Sequence, residues 1–208
     1  VVGEITKNVW PEMKTLVFFF FFVNKVKEVQ LLLPEGFLIQ GLADIGCMEE
    51  LPETHYTIEA NSLEKAQYVH EKYGVNCFAE DTGLEVEALD GEPGVDTAFY
   101  SGTRDANKNM QLLLLNMRNA TDRSARFKTV FTLFVNGVYH QFVGIVTGKI
   151  AEKQIGDKGF GYDPIFVPDG ADITFGEMEP TQKKHFSHRA KAFNLMTAFL
   201  TTNFENSN

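Results

Sequence analysis

A long β-hairpin is the sequence feature that most limits the folds open to this chain of 208 residues. The residues from Phe127 to Val135 show the two-residue period of a strand. Asn136-Gly137 then provides a type I′ turn, and residues 138–146 return along the first strand. We therefore predict a long antiparallel hairpin over residues 126–150, and no residue in it suggests chemistry.

A second strand is indicated by an uninterrupted apolar run near the beginning of the chain. Residues 15–23 are expected to form a fully buried strand, of the kind that parallel sheets of α/β proteins contain. Helical spacing follows as far as Pro34. Lys25 lies at the turn between them, where a helix N-terminus is able to bind an anion. A solvated surface lysine is the alternative.

The same periodicities predict the remaining elements. A short strand is expected at residues 37–39, and a helix that Thr57 caps is expected to end near Tyr73. We also expect a strand over residues 84–89, a helix over residues 107–116, and a last helix that Ser187 caps.

Two adjacent carboxylates, Glu80 and Asp81, follow an apolar run and precede Thr82-Gly83. We interpret Thr82-Gly83 as a turn, so both acids are expected at the end of a strand. Adjacent acids are costly there unless water, a cation or a metal ion lies against them. An acidic loop between two strands is the alternative interpretation.

Residues 159–164 combine two glycines, two aromatic residues and one acid. An exposed aromatic side chain on such a loop is able to stack on a nucleobase, and a core aromatic residue in a tight turn is the alternative. Residues 183–191 are strongly basic and lead into the last helix. Cations at a helix N-terminus oppose the helix dipole, which favours an anion that they share over a merely basic helix start.

The composition argues against several classes of partner. The net charge of -9 disfavours a general nucleic-acid binder, because such a protein needs a basic surface. The longest apolar run is far shorter than the roughly 20 residues that span a bilayer. We therefore expect neither a nucleic-acid partner nor a membrane. Cys47 and Cys77 lack the spacing of paired zinc ligands, and two buried free thiols suit the cytoplasm.

Three motifs stand out together: residues 79–84 with Pro93-Gly94-Val95, residues 159–164, and Ser187-His188-Arg189. In their order and spacing they resemble the inosine triphosphate pyrophosphatase family, also called XTP/dITP diphosphatases. The resemblance implies an α/β fold with a long twisted mixed β-sheet, flanking helices and two lobes around a central cleft. It also implies a homodimer. Residues 13–208 would form this single nucleotide pyrophosphatase domain, and residues 1–12 a leader or an expression remnant.

The resemblance implies Mg²⁺-dependent hydrolysis of the purine nucleoside triphosphates ITP, dITP and XTP to the monophosphate and pyrophosphate. Asp81 would be the general base and a metal ligand. Glu53 would be the second acid at the metal, with stabilisation of a helix dipole as its alternative role. The residues implied to bind substrate are Asn24, Lys25, Lys65, Thr82, Phe160, Gly161, Tyr162, Asp163, Lys183, His188 and Arg189.

The chain departs from the family's pattern at its expected phosphate loop. Phe20 and Phe22 occupy the places of a Thr and an Asn that hold phosphate, and Phe99 stands where the family tends to have Arg. Apolar rings beside a hydrated anion are unfavourable. This departure motivates an alternative, a nucleotide-binding protein with little turnover. A scaffold that has only kept the fold is a third interpretation.

Overall fold

The computed structural model describes residues 14–18, 33 and 35–204 of the chain. The region proposed as a leader and the helix expected after Lys25 lie outside these residues. Asn24, Lys25, Phe20 and Phe22 lie outside them as well.

The described residues form one mixed sheet of seven strands. The strand order is β2-β1-β3-β5-β6-β7, and β4 pairs with β3. β1 is parallel to β2 and to β3, and all other neighbours are antiparallel. The strands are β1 (Lys14–Phe18), β2 (Phe37–Gly41), β3 (Cys77–Val86), β4 (Pro93–Gly94), β5 (Ser124–Val135), β6 (Val138–Ile150) and β7 (Phe166–Pro168). The predicted α/β class with a mixed sheet is therefore confirmed, whereas the division into two lobes stays a prediction.

Four α-helices occur in the described part of the chain: α1 (Ile58–Tyr73), α2 (Ala106–Asn116), α3 (Pro180–Lys183) and α4 (His188–Phe204). Short 3₁₀ turns cover Leu42–Ile45, Glu87–Leu89, Asp163–Ile165 and Lys184–Phe186. Both predicted caps are confirmed, since Thr57 Oγ1 accepts from Ala60 N–H at 3.2 Å and Ser187 Oγ accepts from Ala190 N–H at 3.0 Å. Within the described residues, no helix is both long and apolar enough to cross a membrane.

The predicted hairpin is confirmed in its register and its turn. Strands β5 and β6 pair from Ser124↔Lys149 to Val135↔Val138. Asn136 and Gly137 have φ values of 52° and 77°, and a type I′ turn requires positive φ at both central residues. Its strands form the middle of the sheet, so the hairpin supports the elements that pack on both faces.

The predicted turn at Thr82-Gly83 is wrong, because β3 runs through both residues without a break. They pair in register with Thr129 and Lys128 of β5. A Cβ atom at Gly83 would lie only 2.3 Å from the carbonyl oxygen of Gly94. The glycine is therefore needed for the close approach of β4, and no reversal of the chain occurs there.

Because Glu80 and Asp81 lie inside a strand, their side chains point to opposite faces of the sheet. The packing of their neighbours identifies the two faces. Phe78 packs in one cluster with Phe193 of α4, whereas Ala79 packs with Ala66 of α1. Glu80 therefore shares the α4 face with Phe78, and Asp81 shares the α1 face with Ala79. The two acids are not one paired site.

We expect Gly83→Ala to lower the free energy of unfolding by about 1–3 kcal/mol, because the added methyl group would overlap the Gly94 carbonyl and the Ile58 side chain. Urea denaturation measures this change. Glu87→Ala is the control, since Glu87 is exposed and its replacement should alter stability by no more than about 0.5 kcal/mol. An unchanged midpoint for Gly83→Ala would contradict the close approach.

Candidate active site

A cavity of about 770 Å³ lies on the α4 face of the sheet. Strands β3 and β5, the loop before Pro164, and the segment from Pro180 to Ala190 contribute to its wall. The cavity is lined by eight of the residues that are predicted to bind substrate: Thr82, Phe160, Gly161, Tyr162, Asp163, Lys183, His188 and Arg189. The fold thus brings three separate motifs to one cavity, and their binding role stays a prediction.

The two aromatic residues of the glycine-containing loop take different places. Phe160 is 74% exposed at the cavity, whereas Tyr162 is buried and donates a hydrogen bond to the Thr97 carbonyl at 3.0 Å. Asp163 fixes the loop from within, since its Oδ2 accepts from Phe160 N–H at 2.8 Å and also pairs with Lys183 Nζ. Phe160 therefore has the exposed face that stacking requires, and Tyr162 is a core aromatic residue.

His188, the first residue of α4, is held against the hairpin. Its ring stacks on Phe127 with a centroid separation of 5.2 Å, and its Nδ1 lies 2.6 Å from Thr129 Oγ1. Burial lowers the pKa of His188 to about 3, and the nearby cations of Arg189, Lys183 and Lys191 act in the same direction. His188 is consequently a neutral imidazole at pH 7, although it lies in a basic segment.

Arg189 is oriented by the first of the two adjacent acids. Its Nε donates to Glu80 Oε1 at 2.9 Å and to Oε2 at 2.8 Å. The Glu80 side chain is largely buried, which makes the pair geometrically restrictive. Glu80 thus fixes the direction in which Arg189 enters the cavity wall.

On the α1 face, one ammonium group joins two carboxylates. Lys65 Nζ lies 2.7 Å from Glu53 Oε1 and 2.9 Å from Asp81 Oδ1, and Lys65 is only 2% exposed. Burial, together with the charge of Glu53, raises the pKa of Asp81 to about 6, although the attraction of Lys65 opposes this shift. Asp81 is then mainly ionised at pH 7 and remains basic enough to accept a proton.

The two carboxylates suit a hard divalent cation, although they do not complete its coordination. Across residues 14–18, 33 and 35–204, no three His, Cys, Asp or Glu side chains converge on a metal site. Mg²⁺ commonly binds one or two protein carboxylates and takes its other ligands from water and substrate phosphates. Glu53 and Asp81 fit that pattern.

The model of the Ham1 family matches residues 23–199, most of this chain. The chain belongs to the Ham1 family. A relative named dITP/XTP pyrophosphatase from Flavobacterium psychrophilum is 50% identical over 177 residues, which cover 85% of this chain and 93% of the relative. A protein of the same name from Flavobacterium johnsoniae is 49% identical over 179 residues, which cover 86% of this chain and 93% of that protein. The resemblance that the three motifs indicated is confirmed.

Solved structures of the Ham1 family agree with this fold. The Ham1 protein of Staphylococcus aureus superposes with a TM-score of 0.86 at 34% identity, over 91% of this chain and 99% of that protein. A Ham1 protein from Coxiella burnetii superposes with a TM-score of 0.84 at 30% identity, over 91% of this chain and 100% of that protein. The mixed sheet described above is therefore the fold of the Ham1 family.

Sequence reasoning missed two contributors to the site of this Ham1 family member. The positioning role of Glu80 was missed because both acids were assigned to one strand end. Thr129 was missed because the hairpin carried no evident chemistry, yet its hydroxyl contacts both Thr82 and His188. The two-residue period could have separated Glu80 from Asp81, whereas the partners of Thr129 depend on strand register.

We expect the Asp81 carboxyl to titrate with a pKa of about 6 in the metal-free protein, because burial disfavours its charged form. Carbon-13 NMR of the carboxyl carbon measures the titration. Lys65→Met removes a nearby positive charge and should raise this pKa further. Lys128→Met is the matched control, since Lys128 is a buried lysine that pairs with Glu59 and Glu85 instead. An ordinary aspartate pKa in the wild type would contradict the assignment.

Proposed function

We propose that this protein hydrolyses the non-standard purine nucleoside triphosphates ITP, dITP and XTP to the monophosphate and pyrophosphate. The dITP/XTP pyrophosphatases that are its relatives support this activity. The observation that carries the proposal is the convergence of the three motifs on one cavity, whose lining residue Thr82 directly follows the buried Asp81 in β3.

Thr82 connects the cavity to the α1 face along β3. Its side chain lines the cavity, and Asp81, the residue before it in the same strand, pairs with Lys65 on the other face. In the proposed arrangement the base of the triphosphate occupies the cavity while its phosphates reach Asp81.

In this arrangement the α4 face recognises the base. Phe160 is exposed for stacking, and His188 and Arg189 are the hydrogen-bond donors for the oxygen at C6 of the purine. Adenine carries an amino group at that carbon and would leave a buried donor unpaired. An unpaired group costs roughly 1–3 kcal/mol, which disfavours ATP.

The α1 face performs the chemistry. Asp81 is the proposed general base, because a carboxylate with a pKa of about 6 accepts a proton from an attacking water at neutral pH. Glu53 and Asp81 would hold Mg²⁺, which when bound supplies positive charge to the triphosphate. Lys65 lies between the same two carboxylates and provides a further cation close to the phosphates. Asp81 thus accepts the proton while Lys65 stabilises negative charge.

Turnover is favoured over binding alone because the buried Asp81 pair has no evident purpose in recognising a base. Asn24 and Lys25 remain predicted phosphate contacts outside the described residues. The homodimer and the cytoplasmic location likewise stay predictions from the sequence.

Pyrophosphate release from a panel of triphosphates with Mg²⁺ tests the proposal. We expect ITP, dITP and XTP to exceed ATP in kcat/KM, and Asp81→Asn to lower turnover by about 10²-fold or more. Glu85→Gln is the matched control, since Glu85 shares the strand and face of Asp81 but pairs with Lys128. Equal rates on ITP and ATP would contradict the base assignment, and near-normal turnover in Asp81→Asn would remove Asp81 from the mechanism.

A separate prediction concerns the metal. Glu53→Gln should raise the Mg²⁺ concentration needed for half-maximal rate, because it removes the charge of one of two proposed carboxylate ligands. Titration of the rate with Mg²⁺ measures this. Glu59→Gln is the control, since Glu59 is also a half-exposed glutamate paired with a lysine, but its partner is Lys128. An unchanged Mg²⁺ dependence would leave Glu53 only its ion pair with Lys65.

A further inference from the structure

Two threonine hydroxyls connect β3, β5 and the first residue of α4 in one hydrogen-bonded chain. Thr82 Oγ1 lies 2.7 Å from Thr129 Oγ1, which lies 2.6 Å from His188 Nδ1. Thr129 is completely buried, whereas Thr82 and His188 line the cavity. The buried hydroxyl therefore lies directly behind a side chain that faces the ligand space.

The protons available to Thr82, Thr129 and His188 permit only two arrangements of these two hydrogen bonds. A hydroxyl has one proton to donate, and a neutral imidazole carries one N–H and one acceptor nitrogen. In the first arrangement Thr82 donates to Thr129, Thr129 donates to Nδ1, and the imidazole proton is on Nε2. In the second, Nδ1–H donates to Thr129, Thr129 donates to Thr82, and Nε2 is an acceptor. The arrangement therefore decides whether His188 offers a donor or an acceptor.

The electrostatic surroundings favour ligand atoms that accept hydrogen bonds. His188 begins α4, where the helix dipole is positive, and its neighbours include Arg189 and Lys183. An electron-rich oxygen is stabilised in such a place, and an amino group is not. An Nε2–H donor matches that oxygen, so the first arrangement is the one that agrees with the rest of the site.

We propose that Thr129 is a positioning residue that keeps the proton of His188 on Nε2, so that His188 donates to the C6 oxygen of a purine. The proposal rests on the proposed function and deepens it. Thr129 touches no substrate itself. It acts by donating to Nδ1, and Thr82 supports it by donating to Thr129.

Discrimination against adenine follows from the same hydrogen bonds among Thr82, Thr129 and His188. Accepting a hydrogen bond from an adenine amino group would require Nε2 to lose its proton. That change demands reversal of both hydroxyls together with the imidazole tautomer. The buried position of Thr129 leaves it no water to take over either bond. The cost of reversal is thus added to the cost of an unpaired donor.

Nitrogen-15 NMR of the histidine rings tests the proposal without turnover, and His188→Gln assigns the relevant signals. We expect wild-type His188 to carry its proton on Nε2. Thr129→Val removes the donor to Nδ1 at similar volume, so the nitrogen-15 shift of Nδ1 should move to that of an acceptor without a hydrogen bond. Thr129→Ser keeps a hydroxyl and should restore the wild-type spectrum. A wild-type proton on Nδ1 would overturn the proposal, even if Thr129→Val failed to fold.

Kinetics provide the second measurement. The ratio of kcat/KM for dITP to that for dATP should fall about tenfold in Thr129→Val, and Thr129→Ser should retain it. Thr132→Val is the matched control, since Thr132 is equally buried on β5 but bonds to Ser62 and Gln141 on the other face. It should leave the ratio unchanged.

The two measurements separate this proposal from the proposed function. If Thr129→Val leaves both the Nδ1 shift and the ratio unchanged, Thr129 does not position His188. If wild-type protein releases no pyrophosphate from dITP, the proposed function fails. The assignment of Thr129 as the residue that fixes the His188 tautomer is then decided by the NMR spectra alone.

Discussion

The alternation of side chains along β3 is the constraint on which the site depends. It directs Glu80 to the face that carries α4 and Asp81 to the face that carries α1. Each acid then meets its own cation, Arg189 for Glu80 and Lys65 for Asp81. Under the proposed function, one dipeptide therefore supports recognition on one face of the sheet and chemistry on the other. A shift of the strand by one residue would exchange the two roles.

Ion pairs fix the directions of the charged side chains around this strand. Glu80, Asp81 and Asp163 are each largely buried and each holds a cation. Such pairs add little net stability, because desolvation offsets most of their attraction, yet removal of one partner costs about 3–5 kcal/mol. Their main effect is to fix the orientation of the paired side chains. An acidic chain can thereby present Lys183 and Arg189 at its cavity without leaving either charge uncompensated.

Local patterns predicted the hairpin and the helix caps at Thr57 and Ser187, because turn and capping chemistry depends on adjacent residues. The interpretation of Gly83 failed for a physical reason. A glycine in a sequence does not show whether a turn or a close contact requires it, and here the obstacle is the Gly94 carbonyl, which β4 supplies. The role of Thr129 also depends on contacts distant in sequence, since its partners come from β3 and α4.

Lys65 affects both the separation of Glu53 and Asp81 and the pKa of Asp81. Without a cation between them, Glu53 and Asp81 would repel each other, and the buried Asp81 would be protonated at a higher pH. The ammonium group therefore keeps the two carboxylates close together and favours the charged form of Asp81. In the proposed function these two carboxylates are the Mg²⁺ ligands, and Lys65 holds them near each other on one face of the sheet. The implied phosphate contact of Lys65 and its observed pairing are compatible, because both require the ammonium on the Asp81 face of β3.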